Sequence, residues 1–271
     1  MTRNPAVAGS FYPSDLKQIN SLIKSFNVNL SDNKINAFGI ISPHAGYVYS
    51  GKTALMGYSS IDIKKNIIII GPNHTGLGSY FSVMNEGSYN FGAFNVPVNS
   101  ILADEIIDQK DSPFQSDDKA QLKEHSIEVQ IPLLHYFRSD FSIVPIVISY
   151  IRYDDVMKAA KAIFSALIKL DLIDDILIVA SSDMTHYESA EEAKIKDFIA
   201  INEILRLDPE GLYDKVISNQ ISMCGFIPAS IMLIVAKMAG KTNATLINYT
   251  NSGEASGDYS SVVGYSSIAV Y

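Results

Sequence analysis

Three of the five histidines in this 271-residue chain occur in short irregular stretches: His44 in Ser42-Pro-His-Ala-Gly-Tyr47, His74 in Gly71-Pro-Asn-His74, and His186 in Ser181-Ser-Asp-Met-Thr-His186. Pro43 and Pro72 fix φ just ahead of the first two and stiffen their presentation. Rigid, converging imidazoles are what a metal site needs, because each nitrogen must reach to about 2 Å from one ion. Two neutral imidazoles suit iron, zinc, copper or nickel. A third ligand is required, and both Asp183 and Cys224 are candidates. Cys224 lies in Ser222-Met-Cys-Gly-Phe226, just before the apolar segment Ile227–Met238. If that segment is a helix with Pro228 in its first turn, Cys224 stands near the amino end, where thiolate, the ligating form, is favoured. The competing reading of a lone cysteine is a small buried hydrophobe.

Asp183 and His186 are three apart and can face one cleft. The carboxylate would then hold the imidazole tautomer and raise its pKa, making an acid–base group and its orienter. Alternatively Asp183 caps a helix. In Glu124-His-Ser-Ile-Glu128, His125 and Glu128 share a face if the turn is helical, and both are expected to reach the same cleft. A solvated helix start capped by Ser126 is the rival reading. Of the tyrosines flanking Val48, Tyr49 is expected to line the pocket with Asn73 and Glu128, and Tyr47 to pack. His135, beside Tyr136 and Phe137, is given no chemical role.

The elements that must position these groups show in the apolar pattern. Ala37–Ile41, Ile67–Ile70, Ile143–Ile148 and Ile176–Ala180 are apolar on consecutive positions, as strands covered on both faces are. Asp154–Leu170 and Ala190–Leu207 carry apolar residues three and four apart, the helical spacing. Strands alternating with helices predict a three-layer α/β domain spanning residues 1–271, with a mixed, largely parallel sheet. Three of the histidines then follow directly on central strands, where strand ends converge on a crevice. Ser79–Val98 suggests short strands or a hairpin on the sheet's margin, and Thr245–Tyr249 with Ser261–Tyr271 suggests closing strands.

Composition narrows the classes. The 21 Lys and Arg against 29 Asp and Glu give a net charge of −8, which argues against nucleic acid as a partner. One cysteine cannot form an internal disulfide, so a reducing cytoplasm is the expected location. No apolar run reaches the roughly 18 residues of a membrane span, and no membrane partner is expected. Phosphate-loop, dinucleotide, Gly-x-Ser-x-Gly and paired-cysteine zinc patterns do not occur, which demotes nucleotide hydrolysis, hydride transfer and serine hydrolysis.

Read together, Phe11-Tyr-Pro after Ala8-Gly-Ser, the three histidine motifs, Glu124-His-Ser-Ile-Glu128, Met223-Cys-Gly-Phe226 and Val263-Gly-Tyr265 resemble the Memo family, also called AmmeMemoRadiSam system protein B. The match runs from near residue 5 to the end. The resemblance implies a fold similar to class III extradiol dioxygenases (LigB-like), with His44, His74 and Cys224 around a metal and Asp183 and His186 completing the pocket. His186 matches the position of the dioxygenases' acid–base histidine. Those enzymes are similar only in using two histidines and a carboxylate; a cysteine in the third place alters charge and redox behaviour. The resemblance also implies Fe(II) as cofactor, with copper or zinc as alternatives, and radical-SAM and AMMECR-type protein partners. Animal members are described as signalling effectors that bind phosphotyrosine peptides and as iron- or copper-binding redox proteins.

Three functions are consistent with these residues. The first is a mononuclear non-haem metalloprotein performing redox or oxygen-using chemistry on a small-molecule or peptide substrate. The second is a non-catalytic peptide- or protein-binding module that keeps the crevice. The third is a zinc hydrolase using two histidines and Asp183.

Overall fold

The structure is a computed structural model, and it describes residues 1–28 and 33–271. Its strands are β1 (Thr2–Arg3), β2 (Gly39–Ser42), β3 (Asn66–Pro72), β4 (Phe81–Val83), β5 (Ser88–Asn90), β6 (Asn95–Pro97), β7 (Gln115–Ser116), β8 (Ser142–Ile148), β9 (Ile176–Ser181), β10 (His186–Glu188), β11 (Ala244–Asn251) and β12 (Val262–Val270). Its helices are α1 (Leu16–Ser25), α2 (Lys52–Ser59), α3 (Ser100–Asp108), α4 (Gln130–Phe137), α5 (Tyr153–Lys169), α6 (Ala190–Leu205), α7 (Pro209–Ser218), α8 (Phe226–Met238) and α9 (Gly253–Ser256).

Strands β2, β9, β3 and β8 lie side by side in that order and run parallel. Their isoleucine-rich runs are buried. Both faces are covered, so the apolar pattern is continuous rather than alternating. Met232 of α8 packs at Gly39 on one face, while Ile40, the next residue, packs at Gly57 of α2 on the other. The sheet is mixed, because β12 runs antiparallel to β2 and β11, and β4 runs antiparallel to β8. A three-layer α/β arrangement results, as the sequence predicts.

The margin differs in one respect. β4 does sit beside β8, but β5 and β6 form their hairpin in a separate small sheet, in which β5 also pairs in parallel with β1. The Tyr-, Asn- and Gly-rich pattern there predicts short strands but carries no information on which sheet they join. The apolar run before Lys237 is helix α8, buried from Phe226 to Ala236, with Pro228 as its third residue where no intrahelical donor is lost. Among the described residues no helix is long and apolar enough to cross a membrane.

Topology creates the crevice. The chain passes from β2 through α2 to β3 and leaves a gap that β9 fills later, after β8 has been laid on β3's other side. The carboxyl ends of β2, β3 and β9 meet at this switch point, where open α/β sheets bind ligands.

Candidate metal centre

His44 stands two residues past β2, His74 two past β3, and Asp183 two past β9. The sheet therefore delivers all three to one edge. The His44 and His74 rings lie 5.1 Å apart between centroids, and His125 joins them at 4.5 Å from His74 and 5.4 Å from His44. One nitrogen from each of these imidazoles lies within 4.8 Å of the others, close enough to hold a metal ion. Cys224 Sγ is 3.2 Å from His44 Nε2. Two donors on one ion, with bonds of about 2.1 and 2.3 Å at angles of about 90–110°, stand about 3.1–3.6 Å apart, so this pair fits. Among the described residues, however, the group with all ligand atoms within 4.8 Å of one another is His44, His74 and His125, without Cys224.

Hydrogen bonding fixes which nitrogens are available. Ser181 Oγ donates to the Ser126 carbonyl at 2.6 Å and accepts from Gln130 Nε2 at 2.8 Å. Its one proton is committed, so His44 Nδ1, 2.9 Å away, must donate to it. His44 Nε2 is left as a lone pair facing Cys224. Tyr58 donates to Gln130 Oε1 at 2.7 Å, which sets the amide that donates to Ser181. This chain of partners fixes the imidazole as outer ligands of metal sites commonly do.

Glu124 performs the same service for His74. It is buried, and its carboxylate accepts from His74 N at 2.7 Å and from His74 Nδ1 at 2.9 Å. The backbone N–H groups of His125 and Ser126 donate to it as well. Burial alone would raise its pKa, but the hydrogen bond and charge of His74, with Ser126 and His125, hold it down at about 2. The Glu124 carboxylate accepts from His74 Nδ1, so in the neutral ring Nε2 is the nitrogen that carries the lone pair. The pKa of His44 is pushed well below its usual value, first by burial and then by His74, His125 and His186. Burial and His74 lower that of His125 against the pull of Glu124. These two imidazoles are neutral donors at pH 7, the form a cation binds.

Cys224 reaches His44 because its neighbour is glycine. A Cβ at Gly225 would stand 2.3 Å from the Ser181 carbonyl oxygen and 2.5 Å from Ser182 Cβ, so only glycine lets the loop before α8 lie against the end of β9. The expectation of a thiolate favoured by the helix end is corrected by the surroundings. Burial, and then the Asp183 carboxylate, push the thiol's pKa up. A bound cation reverses that preference.

The Asp183–His186 pair is also rearranged. Asp183 Oδ1 accepts from His44 N at 2.7 Å and Ala45 N at 3.3 Å, so this carboxylate braces the loop carrying His44 and caps no helix; α6 is capped by Ser189. Burial raises the pKa of Asp183 to about 6. His186 is held instead by Ser222, whose carbonyl accepts from Nδ1 at 2.9 Å and whose hydroxyl accepts from the backbone N–H at 2.7 Å. Nε2 of His186 is thereby free to take a proton. A bulge at Tyr187, with φ of +62°, re-aims the strand beside it.

The expected pocket residues separate. Glu128 is fully buried and turned toward the first twelve residues, accepting from Ala6 N, Val7 N and Tyr12 Oη and pairing with Arg3. Glu128 directs its carboxylate to the first twelve residues, while His125, three residues earlier, stands beside His74 and against Phe11. Asn73 shapes its own loop through Thr75, Gly76 and Leu77. Tyr49 is half exposed and lines a groove with Phe26, Lys52 and Tyr249, while Tyr47 is buried with its hydroxyl on the Val129 carbonyl. His135 stacks on Phe94 at 3.7 Å, away from the centre. Glu124, Ser181 and Gln130 are orienting groups that no sequence motif singles out. The signal for the first two was their place in the same motifs as His125 and Asp183; nothing local marked Gln130.

The fold and the cluster define an α/β protein with a histidine-rich candidate metal centre at the switch point of its sheet. A model of the family described as Memo-like protein matches residues 3–269, and the chain belongs to that family. It is 42% identical over 265 residues to a MEMO1 family protein of Aquifex aeolicus, covering 97% of both chains. It is 40% identical to a MEMO1 family protein of Thermoplasma volcanium over 99% of this chain and 98% of that one. Among solved structures, an uncharacterized protein from Escherichia coli K12 is similar in fold, with a TM-score of 0.54 at 14% identity, covering 85% of this chain and 98% of that chain.

Proposed function

We propose that the chain is a mononuclear non-haem metalloprotein in which His44, His74 and Cys224 hold iron, with His125 beside them, for redox or oxygen-using chemistry on a small-molecule or peptide substrate. The observation that carries this reading is the pair of preset imidazoles: Ser181 and Glu124 each take the Nδ1 proton and leave Nε2 of His44 and His74 as lone pairs in one crevice. The 3.2 Å separation of Cys224 Sγ and His44 Nε2 supports the third ligand. A thiolate beside two imidazoles suits iron or copper as well as zinc, and iron is favoured here because the family resemblance points to it.

Bound iron would supply one-electron and oxygen chemistry. This chain's own residues do the rest. His186 Nε2 accepts or returns a proton at the edge of the crevice, and the Asp183 carboxyl, with its pKa near 6, is a second group able to hold one. Phe11 packs on His125 with ring centroids 4.7 Å apart.

The test is anaerobic purification with elemental analysis. About one iron per chain is expected, lost in His44→Ala and in Cys224→Ala while the fold persists. Metal-free protein that gains no affinity on reconstitution, or variants that bind iron as well as the parent, would remove the proposal.

A further inference from the structure

The Ala8-Gly-Ser-Phe-Tyr-Pro13 motif lies outside the centre, yet its segment is bound to two of the three segments that carry the histidines, those of His44 and His125. Arg3 is almost fully buried. Its Nε donates to the Gln121 carbonyl at 3.0 Å, Nη2 to the Glu124 carbonyl at 2.7 Å, and Nη1 to the Asn4 carbonyl and to Glu128. Glu128 in turn accepts from Ala6 N at 2.8 Å, Val7 N at 3.1 Å and Tyr12 Oη at 2.5 Å. Farther along, the Phe11 carbonyl accepts from Tyr47 N at 2.7 Å in the loop after His44, and the Phe11 ring lies against His125.

We infer that residues 1–12 are a positioning strap for the histidine centre, and that Arg3 and Glu128 are positioning residues acting through Glu124 and His125. The inference rests on the proposed metal site and adds to it the device that sets its geometry. A buried ion pair is weak support for stability, since apolar residues of similar volume often serve as well. What this pair adds is geometry. One guanidinium fork ties two carbonyls of the segment before His125 to the carboxylate three residues after it. Lysine at position 3 would keep the charge and reach one partner, but it lacks the planar fork. Glu124, whose carbonyl the fork holds, is the group that orients His74, and loss of such outer support typically weakens metal binding about 10–100-fold.

The test uses the full chain stripped with a chelator and titrated with Co(II) under argon, following its ligand-field absorption and dissociation constant. Arg3→Lys should weaken Co(II) binding about tenfold or more and shift the absorption bands. Phe11→Leu, which leaves the ion pair intact, should shift the bands in the same experiment and serves if Arg3→Lys folds poorly. Ile163→Ala, a core truncation in α5, should lower thermal stability without moving either readout. Parental affinity and spectrum in both Arg3→Lys and Phe11→Leu would overturn the inference. So would the same shift in Ile163→Ala, since general loosening would then explain it. Parent protein that binds no Co(II) would instead remove the centre itself and the inference with it.

Discussion

Ser181 Oγ stands 2.9 Å from His44 Nδ1 while giving its only proton to the Ser126 carbonyl, and that commitment dictates the tautomer of a histidine from a different strand. Ser181→Ala removes the acceptor of His44 Nδ1 and the donor to the buried Ser126 carbonyl, while Gln130 Nε2 keeps the Ser42 and Pro43 carbonyls. The expected result is metal affinity about 10–100-fold weaker and a stability loss of about 1–3 kcal/mol, read by competition titration and urea unfolding. Unchanged affinity would mean that another group fixes His44.

Glu124 makes stability depend on acid. Its folded pKa of about 2 lies below the usual 4.5, so the stabilisation is fully present above pH 4.5 and is lost as pH falls toward 2. The shift corresponds to about 3 kcal/mol for this buried group. Urea unfolding of metal-free protein between pH 7 and pH 3 should show that loss, and Glu124→Gln should start from lower stability and decline less steeply. Parallel curves for the two proteins would contradict the assignment.

The central strands and the placement of His44, His74 and Asp183 at their ends were legible because continuous apolar runs and Pro- or Gly-containing turns are local signals. Helices α5 and α6 were legible for the same reason. What local signals do not contain is direction. Glu128 reads like a partner of His125, but the side chain turns to Arg3, 125 residues away in sequence. Asp183 reads like an orienter of His186, but the nearest donors in three dimensions are backbone groups at the end of β2. The arrival of His125 beside His74 depends on the segment before α4 folding over the crevice, which periodicity does not report.

Cys224 gives metal binding a pH signature. Its thiol is pushed above the usual cysteine range by burial and by Asp183, so ligation must expel a proton. Affinity should therefore rise about tenfold per pH unit between pH 7 and 9, with one proton released per metal bound, and the slope should vanish in Cys224→Ser. A flat profile in the parent protein would point to histidine-only ligation through His44, His74 and His125.

Gly225→Ala tests the approach that brings the thiol in. The added methyl would collide with the Ser181 carbonyl and Ser182 Cβ, at 2.3 and 2.5 Å. The backbone cannot yield without moving Cys224 from His44, so a loss of about 1–3 kcal/mol and weaker metal binding are expected together. Thermal melting and metal titration measure the two effects. A neutral substitution would show that the loop has slack.

X-ray absorption at the metal edge of the iron-loaded chain tests the centre most directly, because it identifies the atoms bound to the ion. The prediction is imidazole scattering from at least two histidines with one sulfur at about 2.3 Å, the imidazole signal falling in His44→Gln and the sulfur disappearing in Cys224→Ser. A shell of oxygen atoms alone, or one that neither substitution alters, would contradict the account.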